Sequence, residues 1–273
     1  MTRDPEVLGV LAGPRTGDDF VAQRSPFLWL VEREVLRYLR IWRYAVVGPI
    51  LSTLLFVLVF GSVLSRHVDA PGHVSYGQFI VPGLVAQAVL DVSYYNGTTS
   101  LFEARRDRYI HDVFSSPLRW WEINAALVSA AMIRAVVTVA VVLAFAVPLT
   151  GIGVQRPGYL VLATVGAMVA AAQFGVLCGA LAQTFDHVYS VESLVLLPLG
   201  FLGGIFYSVH QLPQVWQLVS HVNPLFWIVQ AERIGFLGNA DASAALALGL
   251  VWLLALLLSS WSAAIFASGQ LKD

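Results

Sequence analysis

An all-α integral membrane protein is the fold class this sequence predicts, and three observations carry it. Hydrophobic residues make up 58% of the 273 residues and charged residues only 12%, about half the charged share of a soluble domain. The mean hydropathy is +0.72. The apolar residues also run in continuous stretches of spanning length, which is the pattern of helices and not the alternation of barrel strands. The net charge of −1 carries little information, because the charges are unevenly placed. The lone cysteine, Cys178, excludes a disulfide framework and a cysteine-based metal cluster. No secretory signal is evident: the first 25 residues hold Arg3, Asp4, Glu6, Arg15, Asp18 and Asp19 around one short apolar run.

Residues 1–25 read as a flexible cytoplasmic N-terminus. Residues 26–43, PFLWLVEREVLRYLRIWR, read as an amphipathic interfacial helix. Leu28, Val31, Val35, Tyr38, Leu39 and Trp42 recur at helical spacing, and Arg33, Arg37 and Arg40 form another face suited to anionic headgroups. Ser25 can cap this helix, and Pro26 suits its first position. The alternative is a helical extension of the first span, against which Gly48 and Pro49 argue for a bend.

A single six-helix transmembrane domain then fills 44–267. Its spans are expected at 44–65, 78–100, 122–149, 158–183, 190–208 and 244–267, with 268–273 as a tail. The fifth is the shortest and holds Glu192 near its start. Arginine and lysine placement orients the bundle. Twelve lie before the first span, between spans two and three, or in the tail, against three (Arg66, Arg156, Arg233) on the opposite side. Both termini are therefore expected in the cytoplasm.

Three polar residues within the spans stand out. Asp91 and Asn96 lie in the second and Arg134 in the third. A charge at membrane depth costs at least about 2.5–3.5 kcal/mol on insertion scales, so each needs a partner or water. An Asp91–Arg134 pair is one solution; Arg134 snorkelling or bonding to neighbouring helices, with Asp91 lining a watered pathway, is the other. Glu192 reads as an interfacial charge, and the adjacent Glu232 and Arg233 could cap or pair locally.

Residues 203–227, GGIFYSVHQLPQVWQLVSHVNPLFW, are too apolar and aromatic for a surface loop and are interrupted by Pro213 and Pro224, which places a hairpin at 209–237. Each proline can begin a short helix, about 213–221 and about 224–236. Neither reaches across about 30 Å of hydrocarbon. A re-entrant hairpin from the outer side satisfies both, with Trp216, Phe226 and Trp227 at the interface. His210 and His221 are eleven apart with no cysteine or carboxylate between them, so polar caps fit better than a metal site.

The combination QFIVPGL (78–84), RYIHDVFSSPL (108–118), TFDHVYSVESLVLLPLGFLGGIFYSVHQLP (184–213) and HVNPLFWIVQAERIGFLG (221–238) resembles permease subunits of the type-2 ABC exporters over about 26–267. The resemblance implies six transmembrane helices with an N-terminal interfacial helix, a cytoplasmic coupling helix and an outer re-entrant helical hairpin. It also implies two permeases around a central pathway, each docked on one ATP-binding subunit. Arg105, Arg108, Tyr109, Ile110, Asp112 and Phe114 would then lie on or near the coupling helix, where Ile110, Val113 and Phe114 could show an apolar edge to that partner. Many relatives carry Glu-x-Gly-Thr in this loop, and this chain has no glycine there. Tyr207, His210, Pro213, Trp216, His221, Asn223, Pro224 and Arg233 would form the outer hairpin, an exit lip.

The sequence holds no G-x-x-x-x-G-K-[S/T] run, and its sole lysine is Lys272, so it is expected to bind no cofactor directly. ATP and Mg would be handled by a separate ATPase subunit. The expected function is the permease subunit of an ATP-driven exporter. It would move a drug, lipid or lipid-linked saccharide out of the cytoplasm or inner leaflet of a bacterial-type inner membrane. The expected partners are two copies of an ATP-binding subunit, a second permease copy (homodimer or heterodimer) and membrane lipid, with no nucleic acid. The alternative is an ion-coupled secondary transporter, although that class usually shows paired broken helices. An intramembrane hydrolase would need a nucleophile and base, or two acids, at one depth.

Overall fold

The computed structural model describes residues 25–40, 47–63 and 74–268. The expectations for the N-terminal segment, Trp42, Arg43, Arg66 and the tail with Lys272 lie outside those residues. The described residues form helices and no strand. Helix α1 is Pro26–Arg40, and α2 is Gly48–Leu58, continuing as a π-helical turn over Val59–Val63. Helix α3 is Tyr76–Arg106, α4 Ile110–Ser115, α5 Trp120–Thr150 and α6 Pro157–Leu181. One composite helix follows: α7 Phe185–Val191, a π-helical Glu192–Leu196, and α8 Leu197–Leu202. Helices α9 Gln214–Val222, α10 Pro224–Leu237 and α11 Ala244–Ser268 complete the described residues.

Among the described residues, four helices are long and apolar enough to cross a membrane: Trp120–Thr150, Pro157–Leu181, Phe185–Leu202 and Ala244–Ser268. The composite helix begins and ends earlier than the 190–208 expected for it. Its end is set by Gly203 and by Gly204, whose φ of 78° leaves the helical region. Helix α2 is a shorter apolar segment.

Helix α3 is the axis of the bundle. Its 31 residues span about 46 Å at 1.5 Å per residue, yet Gln87, Asp91, Ser93, Asn96, Thr98, Thr99 and Ser100 keep it less apolar than the four. It tolerates them because other helices enclose it: most of its residues from Tyr76 to Ala104 are buried. Thr98 and Thr99 return their hydroxyls to the carbonyls of Tyr94 and Tyr95, both at 2.8 Å, so these polar groups need no external partner. A capping box starts the helix: Ser75 Oγ accepts from the Gln78 N–H, and Gln78 Oε1 accepts from the Ser75 N–H.

Helix α6 lies against α3 with almost no side chain between the two backbones. A Cβ at Gly175 would stand 2.3 Å from the Tyr94 carbonyl oxygen, and one at Gly179 would stand 2.4 Å from that of Thr98. The spacing Gly175-Val-Leu-Cys-Gly179 is the small-xxx-small pattern of close helix packing in membranes. The main apolar core gathers around this axis, from Ile80, Val81, Val85 and Val89 of α3 to Ala163 and Ala167 of α6 and Ile228 and Val229 of α10.

Candidate functional site

Three regions hold the candidate residues. The first is the connection from α3 to α5. Helix α3 runs past the expected span end to Arg106, and the chain then reverses at Arg108, whose φ is 61°. A non-glycine residue in this left-handed region is uncommon, and it stands in the loop where glycine was missing from the sequence pattern. The turn delivers α4 with Ile110 pointing inward, 4% exposed, among Leu30, Leu101, Ile123, Leu127 and Phe266. Phe114 packs at the edge of the same cluster, its ring 6.3 Å from that of Phe266. Tyr109 lies under the Arg33 guanidinium at 5.0 Å, and burial raises the pKa of its phenol.

The apolar edge expected to face a partner therefore faces the protein's own α1, α3, α5 and α11. Exposed instead are Arg106, Asp107, Arg108, His111 and Asp112. Arg106 makes a two-point bond to Asp107, at 2.7 and 3.1 Å, which holds that carboxyl below its ordinary range. Arg105 turns away from this surface. Its Nη1 donates to the carbonyl oxygens of Ala180, Gly179 and Ala182 at the end of α6, where a cation complements both the unpaired carbonyls and the helix dipole.

Helix α1 braces the same end of the bundle. Glu34 is fully buried and accepts from Arg33 at 2.8 Å and from Arg37 at 3.1 Å. Arg37 also reaches α3, bonding Glu103 at 2.6 Å and Ser100 at 2.5 Å. These two arginines thus turn inward to a buried carboxylate and not to headgroups, and α1 instead exposes Leu28, Trp29, Leu36 and Leu39. Sequence reasoning missed this network. Its signal was Glu34 three residues before Arg37, an i,i+3 pair on one helical face.

The second region is the polar stretch inside the bundle. The structure does not bring Asp91 and Arg134 together. Arg134 Nη1 donates to Asn96 Oδ1 at 3.4 Å, with its guanidinium over the rings of Tyr38 and Tyr95 at 5.8 and 5.5 Å. Asp91 accepts from Gln87 Nε2 at 2.7 Å. Asp91 and Asn96 are five residues apart on α3, about 140° around the helix at 3.6 residues per turn, so one cation cannot serve both. Asp91 opens into a groove of about 370 Å³ between α2, α3 and the composite helix, shared with Gln87 and with Glu192, the first residue of the π-helical segment. Glu192 was read as an interfacial charge; in the structure it lines this groove.

The third region is α9 and α10. Asn223 caps α10 by accepting from the Leu225 N–H at 2.9 Å, and its Nδ2 donates to the Leu199 carbonyl at 2.6 Å. Pro224 occupies the first helical position. Pro213 precedes α9, whose Trp216 is half exposed. Gln217 bonds the carbonyls of His210 and Leu212, and His221 Nδ1 lies 2.6 Å from the Gln217 carbonyl. The Tyr207 hydroxyl donates to the Phe201 carbonyl at 2.9 Å. Arg233 is 2% exposed, with its guanidinium 4.0 Å above the Phe79 ring and Nη2 donating to the Gly204 carbonyl at 2.9 Å. Glu232 bonds Thr164 at 2.8 Å, on another side of α10, so it does not pair with Arg233. The His221 ring meets backbone within its own helix and His210 contributes only its main-chain carbonyl, and among the described residues no group of three His, Cys, Asp or Glu converges as metal ligands.

The family model described as ABC-2 type transporter matches residues 25–237. The inner membrane transport permease YadH of Escherichia coli (strain K12) is 33% identical over 232 residues, covering 84% of this chain and 91% of that protein. Nodulation protein J of Neorhizobium galegae is 25% identical over 232 residues, covering 81% and 85% respectively. That of Rhizobium meliloti (strain 1021) is 24% identical over 247 residues, covering 85% and 86%. The chain belongs to the ABC-2 type transporter family, as a multi-pass inner-membrane transport subunit that works with a separate ABC ATP-binding subunit.

Proposed function

We propose that this chain is the membrane half of an ATP-driven exporter of amphiphilic compounds (drugs, lipids or lipid-linked saccharides). It would use six spans: the four long apolar helices together with α2 and α3. Both termini would lie in the cytoplasm, as the arginine distribution favours, with α4 on that side and α9–α10 dipping into the outer leaflet and returning. ATP and Mg would be bound by the partner ATPase. Two ATPase copies and two permease copies, alike or different, would make up the transporter.

The observation that carries this reading is the build of the α3–α5 connection. Its inner side is held by Ile110, Phe114 and Tyr109 against α1, α3, α5 and α11, while Arg106, Asp107, Arg108, His111 and Asp112 stand exposed. A lever that passes force from an ATPase into spans needs such a rigid inner face and a polar outer one. The proposed docking set therefore includes Arg108 and Asp112, with Arg105, Tyr109, Ile110 and Phe114 as its internal struts. At the other end, α9 leaves Val215, Trp216, Leu218 and Val222 exposed along one face, which suits a lipid-facing lip at the exit.

Cysteine crosslinking tests the assignment. With Cys178 replaced by serine and the ATPase co-expressed, Asp112→Cys should crosslink to the ATPase and Trp216→Cys should not. Crosslinking from Trp216→Cys, or from neither position, would overturn it.

A further inference from the structure

The groove between α2, α3 and the composite helix combines apolar walls with acidic groups. Its walls are apolar, built in part by Phe56, Leu84, Leu197 and Phe201, but two carboxylates from separate elements open into it: Asp91 from α3 and Glu192 from the π-helical segment. No arginine or lysine lines it among the described residues, and neither acid has a cationic partner there. Gln87 adds a further acceptor. Its amide nitrogen is engaged with Asp91, while its Oε1 is buried without a hydrogen-bond partner. An apolar cavity with a few convergent polar groups is the ordinary build of a small-molecule site. All of the polar groups named here present oxygen acceptors, two of them acidic, and bare carboxylates at membrane depth are costly unless paired. A π-helical turn, which is frequent at functional sites, carries Glu192 to this position.

We infer that the groove binds cationic amphiphiles that carry N–H donors: an ammonium head between Asp91 and Glu192, bonded to Gln87 Oε1, and an apolar body against the aromatic walls. This deepens the transport reading, since the same groove would select cargo, but the binding step itself requires neither ATP nor a partner subunit. An anionic lipid or drug would meet two like charges, and a neutral one would leave both carboxylates unpaired.

The test uses the full chain in zwitterionic lipid nanodiscs, with empty nanodiscs as the background for partitioning. Fluorescence titration compares three probes with one ring system: 1-pyrenemethylammonium, 1-pyrenemethanol and 1-pyrenecarboxylate. The ammonium probe is expected to bind at least about tenfold more tightly than the other two. Asp91→Asn should erase about tenfold of that preference and Glu192→Gln several-fold. Affinities for the three probes within about twofold of one another, or a preference that survives in the Asp91→Asn, Glu192→Gln double variant, would overturn the inference. If Asp91→Asn does not fold, the head-group series on the unaltered chain and on Glu192→Gln decides. Cation binding without ATP-driven transport would refute the transport reading alone; ATP-driven transport without cation preference would refute the groove assignment alone.

Discussion

Replacing Gly175 by alanine puts a methyl carbon 2.3 Å from the Tyr94 carbonyl oxygen, and at Gly179 the same change puts one 2.4 Å from the Thr98 oxygen. Ordinary non-bonded separations are about 3.5 Å, so α3 and α6 would have to part by roughly 1 Å along their crossing. Both obstacles are backbone, and no rotamer change relieves them. Overpacking of this kind costs about 1–3 kcal/mol, and the top of that range fits a contact that cannot yield. Alanine's helix propensity returns about 1 kcal/mol, leaving each variant about 2 kcal/mol less stable. Gly249 in α11 is the internal control. Nothing lies within 4 Å of a Cβ there, so Gly249→Ala keeps only the propensity gain, with an expected rise of about 0.5–1 kcal/mol. Denaturation midpoints in detergent measure all three. Opposite signs for Gly175→Ala and Gly249→Ala are expected. If Gly175→Ala and Gly179→Ala proved as stable as Gly249→Ala, the close α3–α6 crossing would be wrong.

Three further outcomes follow from the α4 end of the bundle. Arg105→Ala should lower stability by about 1.5–3 kcal/mol, the range for a charge-assisted hydrogen-bonding group, because the α6 carbonyls lose their donor. The ATPase retained per folded molecule, read from co-purification, should fall less than for Arg108→Gly, because Arg105 supports the docking face without forming it. Arg37→Met should cost about 2 kcal/mol in the same denaturation assay: removing one partner of a buried pair costs about 3–5 kcal/mol, discounted here because Arg37 is 23% and Glu103 29% exposed. Arg108→Gly should raise stability by about 1 kcal/mol by easing the left-handed backbone, while weakening ATPase co-purification through the loss of an exposed charge.

The membrane class and the all-helical fold were legible because composition and continuous apolar length set them. Helix α3 shows where that rule stops: a helix enclosed by protein need not be apolar enough for lipid, so its 31 residues reach well past the 78–100 that hydropathy marked. The α3–α6 crossing was legible and overlooked, since Gly175 and Gly179 stand four apart in plain view. The Asp91–Arg134 pairing could not be decided from sequence: helical phase separates Asp91 from Asn96, but only the structure shows that Arg134 goes to Asn96. The facing of α4 was not legible. The same apolar residues at the same spacing could have pointed to a partner, and the left-handed turn at Arg108 decides that they point inward. The place of Glu192 beside the Asp91 groove was not legible for a similar reason, because π-helical turns shift the phase of a helix without any residue that announces them.

Energy source is the most direct test of the proposed function. Inside-out vesicles carrying the full chain and its ATPase partner would be given a panel of fluorescent amphiphiles. ATP would be removed enzymatically while respiration holds the proton gradient. Accumulation in the vesicle lumen that requires ATP and stops when it is removed is the expected result. Accumulation that continues on the gradient alone would contradict an ATP-driven exporter and favour an ion-coupled carrier.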